Sequence, residues 1–315
     1  MAQQTLPGKP PVYQKSALER RNTLVAYSFL APNFLGFILF TLVPVIFSFA
    51  LAFMSWNGGA LANLRWVGFD NFRTIFARFS FTRSDLGVTL RNTVYFTAFT
   101  VPLTIICALS LALALNRAVR AVKVFRTIFF FPYVASLVAM CVCWSFMLMR
   151  TGPINQMLAW FGIHIGKSWT QAPGYSMWAI IIVSVWRQAG YYMVMYLAGL
   201  QGVPAELYEA ATVDGATPWQ RFWKVTFPML TPTTFFVSIM MVISCFKIFD
   251  VVNIMTDGGP GRATKMLVTY IYQLSFYDIP ARFGTASAVA MVLLALVLGI
   301  TIVQFQAEKK WVNYM

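Results

Sequence analysis

Residues 92–116 read NTVYFTAFTVPLTIICALSLALALN and contain no Asp, Glu, Lys or Arg. A helix needs about 20 mostly apolar residues to cross the hydrocarbon core of a bilayer, so this stretch predicts a transmembrane helix. In lipid every backbone N–H and C=O group must be paired within the segment, which favours a helix. The stretch therefore indicates a membrane protein built from helical spans.

Five further stretches between charged residues have the same character. Of the 315 residues, 59% are hydrophobic and 11% are charged, whereas roughly 45–50% of a soluble domain is apolar. We expect span one, which is longer than the bilayer requires, to tilt or to break near Pro44. The sequence thus predicts an all-α, polytopic membrane protein with a six-span domain at residues 23–306. The spans are predicted at about residues 24–56, 89–115, 127–149, 175–200, 229–254 and 283–305.

The polar tails, residues 1–22 and 307–315, lie on one side of the membrane if there are six spans. Basic residues accumulate in cytoplasmic loops. The first tail has four basic residues, and the loop at residues 117–126 has four basic residues and no acid. We therefore expect both tails, this loop and a hairpin at residues 203–228 to be cytoplasmic. The formal net charge of +14 reflects these loops better than a nucleic-acid surface.

The sequence offers no set of residues for catalysis or for binding a metal. His164 is the only histidine, and Cys141-Val142-Cys143 lacks the spacing of a zinc site. GIHIGKS, at residues 162–168, has three residues between its glycines where a phosphate loop has four. We expect the four cysteines to be buried as small hydrophobic residues. We also expect no catalytic, cofactor-binding or metal site and no ATP hydrolysis by this chain.

The stretch ELYEAATVDGATPWQRFWKVTFP, residues 206–228, predicts a helix, a turn and a second helix. Gly215 suits the left-handed position just past a helix end. Thr217 and Gln220 have the spacing of a capping box, which begins a second helix. This aromatic-rich second helix is expected to bury itself against the bundle and to end before Pro228.

The first helix of the hairpin is acidic. Glu206 and Glu209 are three residues apart and share one face. A surface helix that only anchored the chain to anionic lipid would be basic, so an acidic helix favours a basic partner protein. A hairpin that merely seats the following span is the alternative.

Several motifs resemble those of ATP-binding-cassette importer permeases. Residues 209–211 (EAA), Gly215, Val225 and Phe227-Pro228 resemble the EAA motif of that family, with Val and Phe where the family has Ile and Leu. The sugar-permease branch is resembled by VGFDNFRTIF (67–76), RNTVYFT (91–97) and FKIFDVVNIMTDGGP (246–260). The resemblance extends from span one to span six. It implies the fold of a compact, six-span type I importer permease.

This resemblance implies a permease subunit that forms half of the pathway of an ATP-driven importer for a sugar or oligosaccharide. The implied location is a bacterial or archaeal inner membrane. The implied partners are a second permease, two cytoplasmic ATPase subunits that use ATP and Mg²⁺, an extracytoplasmic solute-binding protein and membrane lipid, without nucleic acid. The residues implied to couple to the ATPase are Glu206, Glu209, Ala210, Ala211, Asp214 and Gly215.

Polar residues inside predicted spans are candidates for the solute pathway, because placing them in the membrane is costly. In span four, Gln188, Tyr192 and Tyr196 recur every four residues and share one face. In span five, Lys247 and Asp250 lie about one turn apart and can pair with each other, and Asn253 follows one turn later. Either group can instead serve helix packing.

Two other classes of function compete with an ATP-driven importer. An ion-coupled secondary transporter of a small solute would need membrane carboxylates as ion relays, and Asp250 is the one such carboxylate in the predicted spans. A membrane-embedded enzyme would need a catalytic set that the sequence does not supply.

Overall fold

A computed structural model gives the structure of residues 17–77, 79–116 and 121–312. Helices make up most of this part of the chain, which confirms the all-α prediction. Two strands of two residues, β1 (Met54–Ser55) and β2 (Arg65–Trp66), pair antiparallel. The helices are α1 (Ala17–Phe37), α2 (Val43–Leu51), α3 (Asp70–Phe76), α4 (Asp85–Leu115), α5 (Val122–Val134), α6 (Leu137–Met147), α7 (Pro153–Trp160), α8 (Pro173–Gln201), α9 (Ala205–Val213), α10 (Pro218–Arg221), α11 (Phe227–Met229), α12 (Thr231–Phe246), α13 (Asp250–Met255), α14 (Leu267–Tyr272) and α15 (Phe283–Trp311).

The terminal helices extend into the predicted polar tails. Helix α1 begins at Ala17, inside the predicted tail 1–22, of which residues 1–16 lie outside the described ranges. Helix α15 continues to Trp311, inside the predicted tail 307–315. Glu and Lys are good helix formers, so the helix outlasts the apolar stretch from which its span was predicted.

The chain divides into two units, residues 1–50 and residues 51–315. In the first unit α1 passes through a π-helical turn into α2. The apolar run Val25–Leu51, which includes α2 and the part of α1 from Val25 onward, is long enough to cross a membrane. It ends before the predicted boundary at Trp56, because the following residues enter the small sheet.

Two π-helical turns stand two residues ahead of prolines inside helical runs. Ile38–Leu42 precedes Pro44, and Phe222–Thr226 precedes Pro228. Proline lacks an N–H group and its ring clashes with the carbonyl four residues earlier, so a wider turn at this point relieves the clash. The irregularity predicted near Pro44 is therefore a π turn within a continuous helix. At Pro228 the helical run continues to Met229, so the prediction that it ends before this proline is wrong.

Predicted span three is not one straight helix. Helices α5 and α6 meet at 95° across Ala135 and Ser136, both of which are extended or non-helical. Pro132, inside α5, removes one hydrogen-bond donor just before the bend. Of the basic loop predicted before this span, residues 117–120 lie outside the described ranges, and α5 already begins at Val122.

Predicted span five is divided as well. The run Pro218–Met229 meets α12 at 62°, and α12 ends at Phe246, short of the predicted end near Ile254. Residues 247–249 leave the helix before α13 begins at Asp250. The continuous helix predicted at residues 229–254 is therefore wrong.

Three helices in the described residues are long and apolar enough to cross a membrane, and the two bent pairs raise the number to five. Helix α8 has 29 residues, which is sufficient by length. Arg187 and Gln188 lie in its middle and lower its mean hydropathy. A count of six spans remains a prediction.

The second unit is centred on the packing of α4 along α8. Two buried apolar clusters share α8, one with α4, α6 and α13 and the other with α4 and α12. Helix α5 crosses α8 at Gly190, where a Cβ atom would lie 1.8 Å from the carbonyl oxygen of Phe129. Small residues allow such close backbone contact between membrane helices. This contact fixes α5, and with it the position of the bend.

Two buried amide side chains hold distant segments together. Asn71 donates through Nδ2 to two backbone carbonyls next to or within β1, each at 2.9 Å. Asn92 donates through Nδ2 to the carbonyls of Arg262 at 2.9 Å and Lys265 at 3.1 Å. These residues belong to the VGFDNFRTIF and RNTVYFT motifs, so both motifs contain a residue that ties the chain together.

Candidate functional site: a central cavity and an acidic hairpin

A cavity of about 380 Å³ lies where the two broken helices meet α8. The bend between α5 and α6 supplies Tyr133 and Leu137, one on each side of it. The break between α12 and α13 supplies the residues of the irregular segment 247–249 and its flanks. Its polar lining includes Ser184, Arg187, Gln188, Tyr192, Ser244, Lys247 and Asp250.

Four of the six predicted pathway residues meet in this cavity. Gln188 and Tyr192 reach it from α8, and Lys247 and Asp250 reach it from the break between α12 and α13. The sequence placed each pair on a separate span, and the structure brings the two pairs to one site. That these residues contact the solute stays a prediction.

The other two predicted pathway residues lie elsewhere. Tyr196 is fully buried in the cluster between α4, α8 and α12, and its hydroxyl donates to Thr234 Oγ1 at 3.2 Å. Asn253 lines a second cavity of about 330 Å³, together with residues of the connector between α13 and α14. Asp250 and Asn253 lie three residues apart on α13, yet they line different cavities.

The ion pair that the sequence suggested between Lys247 and Asp250 is absent. Within the described ranges, the ion pairs involve Asp70, Asp85 and Asp278. Spacing by one turn brings two side chains together only on a continuous helix, and this helix is interrupted between them. Both side chains are exposed within the cavity.

Arg187 is a cavity residue that the prediction did not include. Its guanidinium lies over the ring of Tyr133, with Cζ 5.2 Å from the ring centroid, and Nη2 donates to the Tyr133 carbonyl at 3.4 Å. The Tyr133 ring stacks on Tyr191 with centroids 4.3 Å apart. A cation in the middle of an otherwise uncharged span was the sequence signal for this residue.

The hairpin forms largely as predicted. Helix α9 is followed by Gly215 with φ of +72°, and Thr217 and Gln220 form the capping box that begins α10. The hydroxyls of Tyr208 and Thr226 share a hydrogen bond of 3.1 Å, and Arg221 Nη1 donates to Thr212 Oγ1 at 3.2 Å. These contacts hold the two arms of the hairpin together.

The predicted coupling residues form one solvent-facing surface of this hairpin. Ala211 is partly exposed and the others are exposed. No ion pair involves the three acids within the part of the chain that the structure describes. These residues are Glu206, Glu209, Ala210, Ala211, Asp214 and Gly215.

Large apolar side chains are exposed beside these acids. Val213 is 87% exposed and Trp219 is 70% exposed. The prediction that the aromatic second helix buries itself against the bundle is therefore wrong for Trp219 and for Trp223, which is 47% exposed. Exposed apolar side chains grouped with charges are typical of a surface that binds another protein.

The structure also bears on the predictions for metal ligands and for the four cysteines. No three His, Cys, Asp or Glu side chains come together as metal ligands in the described residues. The four cysteines are free, and Cys141 and Cys245 are buried as expected. Cys107 and Cys143 are exposed on their helices, so that expectation is wrong for two of the four.

Comparisons with known proteins identify the family. A family model described as "Binding-protein-dependent transport system inner membrane component" matches residues 93–311. The chain is 36% identical to the probable ABC transporter permease protein YesP of Bacillus subtilis (strain 168), over 96% of each chain. It is 35% identical to the lactose transport system permease protein LacF of Rhizobium radiobacter, over 94% of this chain and 98% of LacF.

A solved structure shares the fold. The crystal structure of a bacterial ABC transporter involved in the import of the acidic polysaccharide alginate matches with a TM-score of 0.78 at 24% identity, over 94% of this chain and 99% of that chain. The chain belongs to the inner membrane components of binding-protein-dependent transport systems, and it is a permease subunit of an ABC transporter rather than an enzyme.

Proposed function

We propose that this permease forms half of the solute pathway of an ATP-driven importer for a sugar or oligosaccharide. The observation that carries the proposal is the meeting of two helix breaks and the polar face of α8 at one cavity. Non-helical backbone at membrane depth is tolerated where it lines a cavity, and discontinuous helices typically form transporter binding sites.

The chemistry of the cavity suits a carbohydrate. Its volume of about 380 Å³ falls in the usual range of about 300–1,000 Å³ for small-molecule sites. Tyr192 contributes an aromatic ring to its wall, and Gln188 and Asp250 offer hydrogen-bond partners for the hydroxyls of a sugar. Lactose transport by the relative LacF is consistent with this substrate class.

The hairpin is the proposed contact with a separate ATPase. Its acidic and apolar surface is exposed, and its two arms are held together internally. An acidic surface fits a basic groove on a cytoplasmic ATPase subunit, so we propose that the hairpin and both termini are cytoplasmic. ATP and Mg²⁺ would then be used by that partner, and this chain would need no cofactor.

The remaining partners follow from the transport system to which the family belongs. Members are inner membrane components of binding-protein-dependent systems. We therefore infer an extracytoplasmic solute-binding protein, a second permease that completes the pathway and a pair of ATPase subunits. The surrounding lipid contacts the apolar surfaces, and we assign no nucleic-acid partner.

The test is purification of the chain from its native membrane with whatever accompanies it, followed by reconstitution into lipid vesicles. We expect a solute-binding protein and an ATPase to accompany the chain, and uptake of a radiolabelled sugar to require hydrolysable ATP. Uptake by the isolated chain that is driven by a proton or sodium gradient, without a nucleotide, would overturn the proposal in favour of a secondary transporter.

A further inference from the structure

The central cavity has an excess of positive charge. Among the described residues, Arg187, Lys247 and Asp250 are the Asp, Glu, Lys or Arg side chains that line it, so two basic groups face one acid. None of the three takes part in an ion pair within the described ranges. Charges inside membrane proteins normally pair with one another or line a solute path. These three are therefore available to a ligand.

Of these three groups, Arg187 has the most specific geometry for binding an anion. A guanidinium carries five N–H donors in one plane and stays protonated in proteins. Here one long hydrogen bond, 3.4 Å, goes to the Tyr133 carbonyl, and the plane rests over the Tyr133 ring. Its Nε is buried without a hydrogen-bond partner. Most of the donors that could bind an anion in a bidentate manner therefore remain unused.

Ser184 provides an independent observation on the same wall. It precedes Arg187 by three residues on α8, lines the cavity and is 2% exposed, and its Oγ has no hydrogen-bond partner. Leaving a buried hydroxyl unpaired is unfavourable, so its position indicates a ligand that supplies the missing partner. Leu137, the first residue of α6, lines the cavity as well, and the start of that helix adds partial positive charge.

We propose that the transported solute is an anionic carbohydrate, and that Arg187 binds its charged group while Ser184 donates to the same group. This inference rests on the proposed function and narrows its substrate class. The charged group is a carboxylate, as in a uronic acid, or a phosphate, as in a sugar phosphate; the fork of Arg fits either one. Lys247 adds a second positive charge, and Asp250 accepts hydroxyl hydrogen bonds from the neutral part of the ring.

Direct binding to the co-purified transporter in detergent, without its solute-binding protein, tests the proposal. The probes form matched sets that differ only at C6: galactose, galacturonate and galactose 6-phosphate, with the same three forms in the gluco and manno series. We expect at least one anionic probe to bind about tenfold or more tightly than its neutral counterpart, the usual gain from a charge-assisted bidentate contact.

Variants then assign the preference to the cavity. Arg187→Gln should bring the anionic and neutral probes to similar affinities, and Arg187→Lys should retain part of the difference between them. Lys247→Gln should reduce that difference less than Arg187→Gln does. Arg73→Gln is the matched control, because the Arg73 side chain on α3 is exposed and pairs with Asp70; it should keep the full preference. Comparing carboxylate with phosphate probes identifies which anion the site takes.

If no anionic probe in any series binds more tightly than its neutral counterpart, the proposal is overturned. The same holds if folded Arg187→Gln transporter, checked by gel filtration, keeps the full preference. ATP-dependent uptake of neutral sugars alone would also overturn it while leaving the proposed importer function intact. The two ideas therefore fail in distinguishable ways.

Discussion

In the hairpin of residues 203–228 every turn is set by residues a few positions away, whereas the central cavity is assembled from four segments far apart in the chain. The hairpin satisfies its polar groups internally and keeps its acids on the outside. The cavity leaves Arg187, Lys247 and Asp250 without ion pairs. A substitution in the hairpin should therefore act on docking or on local stability, and one at the cavity should act on the solute.

Reversing a hairpin charge should have the largest effect. Glu209→Lys would bring like charges together at the proposed ATPase contact, which costs several kcal/mol, so we expect uptake to fall about a hundredfold or more. The amount of protein in the membrane should not change. Asp70→Lys, the same reversal at an exposed side chain of α3, is the control and should transport normally. Uptake by Glu209→Lys at the wild-type rate would contradict the docking role.

Loosening the cavity wall should have the next largest effect. Gly190→Ala would place a Cβ atom 1.8 Å from the Phe129 carbonyl oxygen, so α5 must shift away from α8. We expect a loss of about 1–3 kcal/mol of stability, measured as a lower Tm in detergent. Gly174→Ala is the matched control on the same helix, because its Cβ would meet nothing within 4 Å. Equal Tm values for the two variants would contradict a close contact between α5 and α8 at Gly190.

Truncating cavity side chains should reduce transport more moderately. Gln188→Ala and Tyr192→Ala, made separately, should each lower uptake about tenfold, because each removes about one polar or ring contact to the solute. The basal ATPase activity of the complex should not change. Tyr196→Phe removes a hydroxyl that is buried outside the cavity. That control should transport within about twofold of wild type. If all three variants transport equally well, the α8 face serves packing alone.

The smallest expected effect lies in the capping box. Thr217→Ala removes the acceptor for the Gln220 amide and should destabilise the start of α10 by about 1 kcal/mol. Hydrogen exchange at the Gln220 amide should accelerate correspondingly. Thr217→Ser keeps the hydroxyl and should exchange like wild type; an unchanged rate in the alanine variant would mean that the cap contributes nothing measurable.

The two regions also differ in how far the sequence alone predicted them. Gly215 and the Thr217–Gln220 pair act on adjacent backbone, so their residue types determine the local conformation, and the hairpin was predicted nearly turn by turn. The interruption between Phe246 and Asp250 contains neither Gly nor Pro. It carries no local signal, because tertiary packing rather than propensity ends the helix there.

Other features depend on contacts that a single segment cannot reveal. Pro132 lies in α5 just before the 95° bend, yet the bend also depends on the close contact of Phe129 with Gly190 on another helix. Likewise, nothing near Asn92 in the sequence indicates that its amide binds a connector about 170 residues away. The polar residues of spans four and five were recognisable by their cost in lipid, but only the fold shows that four of the six face one cavity.

The elbow at Leu230 has a mechanical consequence. The arm Pro218–Met229 joins α12 at 62°, and Leu230 at the corner is completely buried. If this run and α12 move as one rigid body, displacement of the hairpin end rotates α12 about Leu230. Lys247 directly follows Phe246, at the opposite end of α12. Movement of the hairpin would therefore rotate the part of the cavity wall that contains Lys247.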